Sequence, residues 1–481
     1  MRPTEFLMET REYQAVVIGA GPGGYPAAIR LAQLGVKTLC IEKEYFGGVC
    51  LNVGCVPSKA LIAASKKFKE LKGTVQEMGV VLPEGDVSFD MAKTQAWKSS
   101  IVEKNTSGVK MLLKGNGADR LFGTARFDGP GALIVETEDG PVRVKGEHIV
   151  IATGSRPIEI PGFSYKDDRV MDSTKALDLD HVPERLVVIG GGYIGLELGT
   201  MLAKVGSQVT VVEMADQVLP GFDKDVIRVI SRRLKKMGVK VLTGARAMGW
   251  EEGDGVAQVK IQNAKGEEQI IEADKILVTV GRFPNTEQVG LDTLEGLQMD
   301  GRFIQIDKQC KTNIPGVYAI GDVAGQPMLA HKATHEGEVV AEVIAGHNVQ
   351  LDHIQVPAVV FVDPEVATAG LQEHEAKEAG YDILVGKMPF AANARALTTG
   401  DADGFVKVVV NAADNRILGV TICGPSASDL ISEASLAVEM QAEALDVALT
   451  IHPHPTLGEA VMEATKHAIG EAVHVMNKKK K

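Results

Sequence analysis

The sequence predicts an α/β protein made of two Rossmann-like units followed by a C-terminal α+β segment. Three observations predict it. The stretch "YQAVVIGAGPGGYPAAIRLAQLGVKTLCIEKE" reads as strand, glycine turn, helix and strand, and "ERLVVIGGGYIGLELGTMLAKVGSQVTVVEMAD" repeats that order. Beyond residue 353, strand patterns such as "GFVKVVVNAADNRILGVTICG" alternate with helical ones such as "DLISEASLAVEMQAEALDVAL". At 481 residues the chain also exceeds one core, and the length prior suggests about three or four domains.

In the first unit the glycines Gly19, Gly21 and Gly24 fit G-x-G-x-x-G. The first makes the tight turn, the second lets the backbone approach a pyrophosphate, and the third brings helix and strand close. The helix N-terminus then offers unpaired N–H groups and a positive dipole end to phosphate. Glu42 ends the second strand, placed for ribose hydroxyls. The second unit has Gly190, Gly192, Gly195 and the strand-end acid Glu213. In both units the acid lies 23 residues beyond the first glycine, Gly19 to Glu42 and Gly190 to Glu213. One such motif is weak evidence, whereas two complete units in register point to two bound dinucleotides. A carboxylate at Glu213 pairs with a free ribose 2′-OH and repels a 2′-phosphate, which favours NAD(H) over NADP(H).

Composition narrows the function classes. The chain is 45% apolar and 24% charged, with a net charge of −12, against a nucleic-acid-binding surface. No continuous apolar run reaches the roughly 18–20 residues of a bilayer span. The start "MRPTEFLMETREYQ" has no apolar signal core, so a cytoplasmic location is expected. The lysine run at 478–481 reads as a solvated tail. Five cysteines do not make a structural disulfide framework.

Two of those cysteines, Cys50 and Cys55, lie in "GGVCLNVGCVPSKAL", which looks like the opening of a helix. In a regular helix their Cα atoms would stand roughly 8–9 Å apart, whereas a disulfide wants about 4.4–6.8 Å. The residues leave three readings open: buried thiols, half a metal site, or a redox disulfide in a bent helix. A zinc site needs further Cys or His at close spacing, and none lies nearby in sequence. Gly54 makes a distortion sterically possible, and the following Val56-Pro57 restricts the backbone again.

At this point the chain resembles a known family, the flavin-dependent pyridine nucleotide–disulfide oxidoreductases. "GGVCLNVGCVPSK" is similar to their redox-disulfide motif. "IVIATGSRP" (149–157), "VTVGRFPNT" (278–286), "GVYAIGDVAG" (316–325) and "HPHPTLGEA" (452–460) are similar to their other signatures. The resemblance implies an FAD-binding domain over 1–155, an NAD-binding domain over 156–283, a central domain over 284–352 that completes the FAD site, and a C-terminal α+β dimerisation domain over 353–481. It also implies that Cys50 and Cys55 cycle between disulfide and dithiol, with Cys50 exchanging with substrate and Cys55 facing the flavin. Lys59 would lie near the flavin and pair with Glu197. His454 would be the acid–base, oriented by Glu459, with Pro455 and Thr456 completing the motif and His452 packing beside it. Asp322 would contact the ribityl chain, and Ala330 and His331 the flavin pyrimidine edge. Ala125 would approach the adenine side, Thr153, Gly154 and Ser155 the FAD, and Gly281 the nicotinamide cleft. Cys40, Cys310 and Cys423 read as structural thiols, and no metal is expected.

Within the family the resemblance is to the lipoamide-type branch. Ser58 precedes Lys59 where glutathione reductases have a second lysine, Glu213 points to NAD, and "HPTLGEA" is that branch's tail motif. The chain ends "HVMNKKKK" without the cysteine pair of mercuric reductases. The implied activity is FAD-dependent oxidation of protein-bound dihydrolipoyl groups by NAD+. The implied partners are a second copy, which shares each active site, and a lipoyl-bearing E2 acyltransferase or a glycine-cleavage carrier. Two rivals remain at this stage: a reductase for another disulfide or a quinone, and a non-catalytic subunit that keeps FAD for stability.

Overall fold

The computed structural model describes residues 8–82 and 87–477, so the lysine run at 478–481 lies outside the described residues. The chain divides into two compact units. One comprises residues 1–60, 93–158 and 281–352, and the other residues 61–92, 159–280 and 353–481.

The first unit is built on a mixed sheet. Strand Asp119–Phe122 pairs with Thr38–Glu42, then Thr10–Ile18, then Gly140–Ile151, all parallel, and Val317–Ala319 also pairs with Gly140–Ile151. The strands Ala132–Thr137 and Thr124–Phe127 extend it in antiparallel sense. The run Ala15–Val17 has no exposed surface, as befits a parallel strand covered on both faces. Helix Gly24–Gln33 follows the first strand and packs on helix Ala330–Ile344. The approach is close: a Cβ on Gly337 would stand 2.4 Å from the Gly23 carbonyl.

The second unit holds a parallel sheet in the order Lys240–Leu242, Gln208–Val212, Arg185–Ile189, Lys275–Val278, Val170–Met171. A three-stranded antiparallel sheet accompanies it. After residue 353 comes a five-stranded antiparallel sheet, ordered Ala358–Val360, Glu365–Gly370, Ile417–Gly424, Phe405–Asn411, Ile383–Pro389. Helices Ala427–Glu439 and Glu459–Ala468 pack on that sheet, so the expected α+β character holds.

Strand Phe405–Asn411 is buried along its whole length, Lys407 included at 2% exposure. Lys407 Nζ reaches Asp223 Oδ2 at 2.6 Å, Asp225 Oδ1 at 2.9 Å and Glu373 Oε2 at 3.4 Å. Asp225 opens helix Lys224–Lys236, and Arg233 near its other end reaches Asp363 at 2.9 Å and Asp403 at 3.4 Å. Ion pairs therefore fix both ends of that helix onto the C-terminal sheet and its loops. A buried lysine is tolerable because several carboxylates share its charge.

Among the described residues one helical stretch, Gly48–Leu71, has the length and average composition of a bilayer span, although no continuous apolar run of that length occurs in it. The backbone breaks within it at Gly54.

Candidate active site

The two glycine turns repeat each other in three dimensions. Gly19 has φ +102°, and a Cβ there would stand 2.3 Å from the Ala152 carbonyl; Gly190 has φ +103°, and its Cβ would stand 2.6 Å from the Thr279 carbonyl. A Cβ on Gly24 would meet the Gly19 carbonyl at 1.9 Å, and one on Gly195 the Gly190 carbonyl at 2.3 Å. The third glycine thus closes the turn as well as the helix–strand contact. The middle glycines face space: a Cβ on Gly192 would touch nothing within 4 Å, and one on Gly21 would meet only Gly48 Cα, at 3.9 Å. Neither helix N-terminus carries a side-chain cap among the described residues. Open space beside uncapped N–H groups is what a pyrophosphate requires, so both turns fit a dinucleotide.

The strand-end acids have a role that the sequence reading missed. Glu42 accepts from Ala20 N at 2.7 Å and from Glu44 N at 2.8 Å; Glu213 accepts from Gly191 N at 2.6 Å and from Ala215 N at 2.7 Å. Each carboxylate therefore ties the residue after the first glycine to the residue two places beyond itself. Each oxygen keeps a further lone pair for a ribose hydroxyl.

The cysteine segment starts against the first turn. Gly47 (φ +95°) and Gly48 (φ +60°) are left-handed, and a Cβ on Gly48 would stand 2.5 Å from Gly21 Cα. Helix Gly48–Val53 then ends at Gly54, whose φ −142° and ψ −109° are not helical, and helix Cys55–Leu71 begins. Asn52, not singled out from sequence, donates to Phe46 O at 3.1 Å and Gly48 O at 2.9 Å. Cys50 is half-buried and Cys55 exposed, and both are free thiols. The Cys50 thiol is pushed up, first by its hydrogen bond with the Cys55 side chain and then by burial, while Lys59 pulls it down. The break thus brings the two sulfurs within hydrogen-bonding contact. Among the described residues no group of three or more His, Cys, Asp or Glu is placed to hold a metal. Cys40, Cys310 and Cys423 are fully buried, and burial raises all three thiols, Cys423 to about 12.

The other residues of the first unit form connected groups. Asp322 is hydrogen-bonded to the Ser155 hydroxyl, which also accepts from Arg282 Nε at 2.7 Å. Glu336, 2% exposed, accepts from Gly321 N at 2.6 Å and pairs with Lys332 at 2.7 Å, fixing the turn that carries Asp322. Asn285 donates to Thr153 O at 2.9 Å and through its own N–H to Gly154 O at 2.8 Å, while the Thr153 hydroxyl donates to Asn285 O at 2.8 Å. Gly154 has φ +69° and Gly281 φ +127°, and Gly281 O accepts from Ile158 N at 3.1 Å. Ala125 is buried within strand Thr124–Phe127, and Ala330 begins helix Ala330–Ile344, with His331 next to it. Arg282, Asn285, Glu336 and Asn52 were not foreseen; apart from the i,i+4 pair of Glu336 with Lys332, their partners lie in sequence-distant or backbone positions.

In the second unit Glu197 is 4% exposed and accepts from Phe361 N at 2.8 Å. His454 Nδ1 lies 2.8 Å from Glu459 Oε1, and Glu459 Oε2 accepts from Thr456 N at 2.8 Å. Burial pushes the Glu459 carboxyl up, but hydrogen bonds from Thr456 N and His454 outweigh it and hold the group below its ordinary value. Buried Asn393, also unforeseen, donates to Thr456 O at 2.9 Å. The carboxylate holds the His454 ring through Nδ1 and leaves Nε2 facing away from it.

Comparison with known proteins agrees with this geometry. The family model described as pyridine nucleotide-disulphide oxidoreductase matches residues 13–337, and its dimerisation domain matches residues 356–465. The chain is 50% identical over 475 residues to a dihydrolipoyl dehydrogenase of Geobacillus stearothermophilus, covering 98% of this chain and 99% of that one. It is 48% identical over 470 residues to a dihydrolipoyl dehydrogenase of Haloferax volcanii, covering 97% and 98%. Among solved structures, an HOCl-induced flavoprotein disulfide reductase from Escherichia coli superposes with a TM-score of 0.85 at 27% identity, over 95% of this chain and 99% of that one. By both its sequence and its paired glycine turns, the chain belongs to the pyridine nucleotide-disulphide oxidoreductase family.

Proposed function

We propose that this chain oxidises dihydrolipoyl groups to lipoyl groups with NAD+ as acceptor, using a Cys50–Cys55 disulfide. The observation that carries the reading is near full-length identity of 48–50% to dihydrolipoyl dehydrogenases, on a chain that keeps the cysteine pair. The chain uses FAD and NAD(H). FAD, when bound, passes the electron pair between the dithiol and NAD+. The first glycine turn, Glu42 and the Asp322–Ser155–Arg282 group would hold it, and the second turn with Glu213 would hold NAD.

This chain's residues perform the thiol chemistry. His454 takes a proton from a substrate thiol, and the resulting thiolate attacks Cys50 Sγ, breaking the Cys50–Cys55 bond and releasing Cys55 as thiolate. The second substrate thiol then displaces Cys50, leaving a lipoyl disulfide and the Cys50/Cys55 dithiol. Glu459 balances the imidazolium while His454 holds the proton. Cys50 leaves with the second thiol's proton, His454 keeps the first, and Cys55 holds the negative charge that remains. Across the cycle the substrate loses two electrons and two protons, NAD+ gains a hydride, and one proton is released. Lys59 would pair with Glu197 beside the flavin.

The matched dimerisation domain supports a homodimer. The same region exposes Leu436 (63%), Met440 (71%), Leu449 (75%) and Ile451 (94%), an apolar surface suited to a second copy. In this reading each active site takes His454 from the partner copy, the four domains run as 1–155, 156–283, 284–352 and 353–481, and the enzyme works in the cytoplasm. It would serve a lipoyl-bearing acyltransferase or a glycine-cleavage carrier, with no nucleic acid or membrane involved.

The test is kcat/KM with dihydrolipoamide and NAD+ against glutathione disulfide and NADPH. The first pair should dominate, and preference for the second would overturn the substrate assignment. Dihydrolipoamide turnover surviving Cys55→Ser would overturn the redox role.

A further inference from the structure

The loop that carries His454 runs between helices Ala444–Leu449 and Glu459–Ala468. Its downstream end is fixed by Glu459 and Asn393, which together hold both the N–H and the carbonyl of Thr456. Its upstream end has little to hold it by packing: of residues 449–455, every one except His452 is exposed. The His452 side chain is 6% exposed. Its Nε2 lies 2.7 Å from Glu433 Oε1, and its Nδ1 lies 2.9 Å from Thr450 O. Glu433 stands on helix Ala427–Glu439, whose Ala434, Ala437 and Val438 are buried in the core of the C-terminal sheet.

Both ring nitrogens of His452 therefore face oxygen acceptors. The ring is thereby held between a carboxylate on helix Ala427–Glu439 and a carbonyl of its own loop, so it joins the two. We propose that His452 and Glu433 form a second His–Glu pair, a positioning clamp that fixes the upstream end of the loop so that His454 meets the reacting sulfurs in one geometry. His452 touches no reacting atom in this proposal and acts through His454. The catalytic consequence rests on the dihydrolipoyl reading; the clamp itself does not.

The test uses full-length, flavin-loaded His452→Gln and Glu433→Gln enzymes. Two activities separate positioning from folding: dihydrolipoamide oxidation by NAD+, which needs His454, and NADH oxidation by ferricyanide, which draws electrons from the flavin without it. The first should fall about 10- to 100-fold, the range a misplacement of about 1 Å produces, while the second stays at the wild-type level. Unchanged dihydrolipoamide turnover in both variants overturns the clamp. A parallel loss of both activities makes the pair merely structural and also overturns it. If His452→Gln does not fold, Glu433→Gln decides alone. Failure of the wild-type enzyme to use dihydrolipoamide would be a failure of the functional reading instead. The clamp is then judged by 15N-histidine NMR, in which Glu433→Gln should alter the His454 ring signals as well as those of His452. Unmoved His454 signals overturn it.

Discussion

Glu459→Gln should damage the enzyme more than Glu459→Ala, an order that follows from two hydrogen bonds. The carboxylate accepts from His454 Nδ1 at 2.8 Å on one oxygen and from Thr456 N at 2.8 Å on the other. A carboxamide has a single oxygen. The Thr456 N–H can only donate, so that oxygen turns toward Thr456 and the NH2 group turns toward His454. Nδ1 must then accept, which places the ring proton on Nε2, the nitrogen that should take a proton from substrate. The same NH2 group opposes the Nδ1–H of the imidazolium. A charge-assisted hydrogen bond contributes about 1.5–3 kcal/mol. His454 is 71% exposed in the single chain, so water competes and the lower end applies. About 1.5 kcal/mol is roughly tenfold in rate, and alanine should lose about that much. Glutamine should additionally forfeit much of the general-base contribution of about 10²- to 10⁴-fold. The assay is kcat/KM for dihydrolipoamide with NAD+, alongside NADH–ferricyanide turnover as a control for intact flavin. A glutamine variant more active than the alanine variant would refute the tautomer argument.

Three further outcomes are expected. Lys407→Met should lower stability by about 3–5 kcal/mol, because it leaves Asp223, Asp225 and Glu373 without their shared cation. Urea unfolding should show this and show part of the loss restored by adding Asp225→Asn, while an unchanged midpoint would discount the network. Acid should destabilise the second unit. Burial pushes the Asp223, Asp225 and Asp363 carboxyls up, but Lys407, His374, Lys387, Lys204 and Arg233 outweigh it and hold all three low. With folded values below the unfolded value of about 3.9, their stabilisation is complete above that pH and disappears as pH falls below it. Urea midpoints measured downward from about pH 6 should therefore drop steeply only below about pH 4. Gly24→Ala, whose Cβ would lie 1.9 Å from a carbonyl oxygen, should yield protein purified without flavin, whereas Gly192→Ala, whose Cβ has open space, should fold with flavin and raise the KM for NAD+.

Much of the architecture was legible because it rests on local rules. Glycine turns, strand-end acids and the mix of strand and helix patterns after residue 353 follow from short-range pattern and turn sterics. The distortion between Cys50 and Cys55 was permitted by Gly54 but not dictated by it; spacing left three readings open, and the family resemblance chose the bent one. The residues that hold the site in place were not legible. Asn393 reaches Thr456 across 63 positions, and Arg282 reaches Ser155 across 127. Lys407 sits in "FVKVVVN", where alternation would put it at the surface, yet its carboxylate partners Asp223 and Asp225 are more than 180 positions away. A side chain's local pattern tells which face it is on; it does not tell which distant group neutralises it.

The two strand-end acids show why equal spacing can have more than one cause. The shared interval from first glycine to acid invites a ligand explanation, with each carboxylate waiting for a ribose. Yet Glu42 and Glu213 make the same pair of backbone hydrogen bonds, at 2.7 and 2.8 Å in one unit and 2.6 and 2.7 Å in the other. Those bonds alone fix where the acid must stand relative to the turn, before any nucleotide binds. In the proposed reading Glu213 would act twice: its charge would select against a 2′-phosphate, and its two accepted hydrogen bonds shape the glycine turn. A substitution that removes the charge also releases Gly191 N and Ala215 N. Weaker NAD+ binding in such a variant would thus combine lost ribose recognition with a loosened turn. Glu42 offers the comparison that separates them, because it makes the same two bonds in the unit where no choice between NAD+ and NADP+ arises.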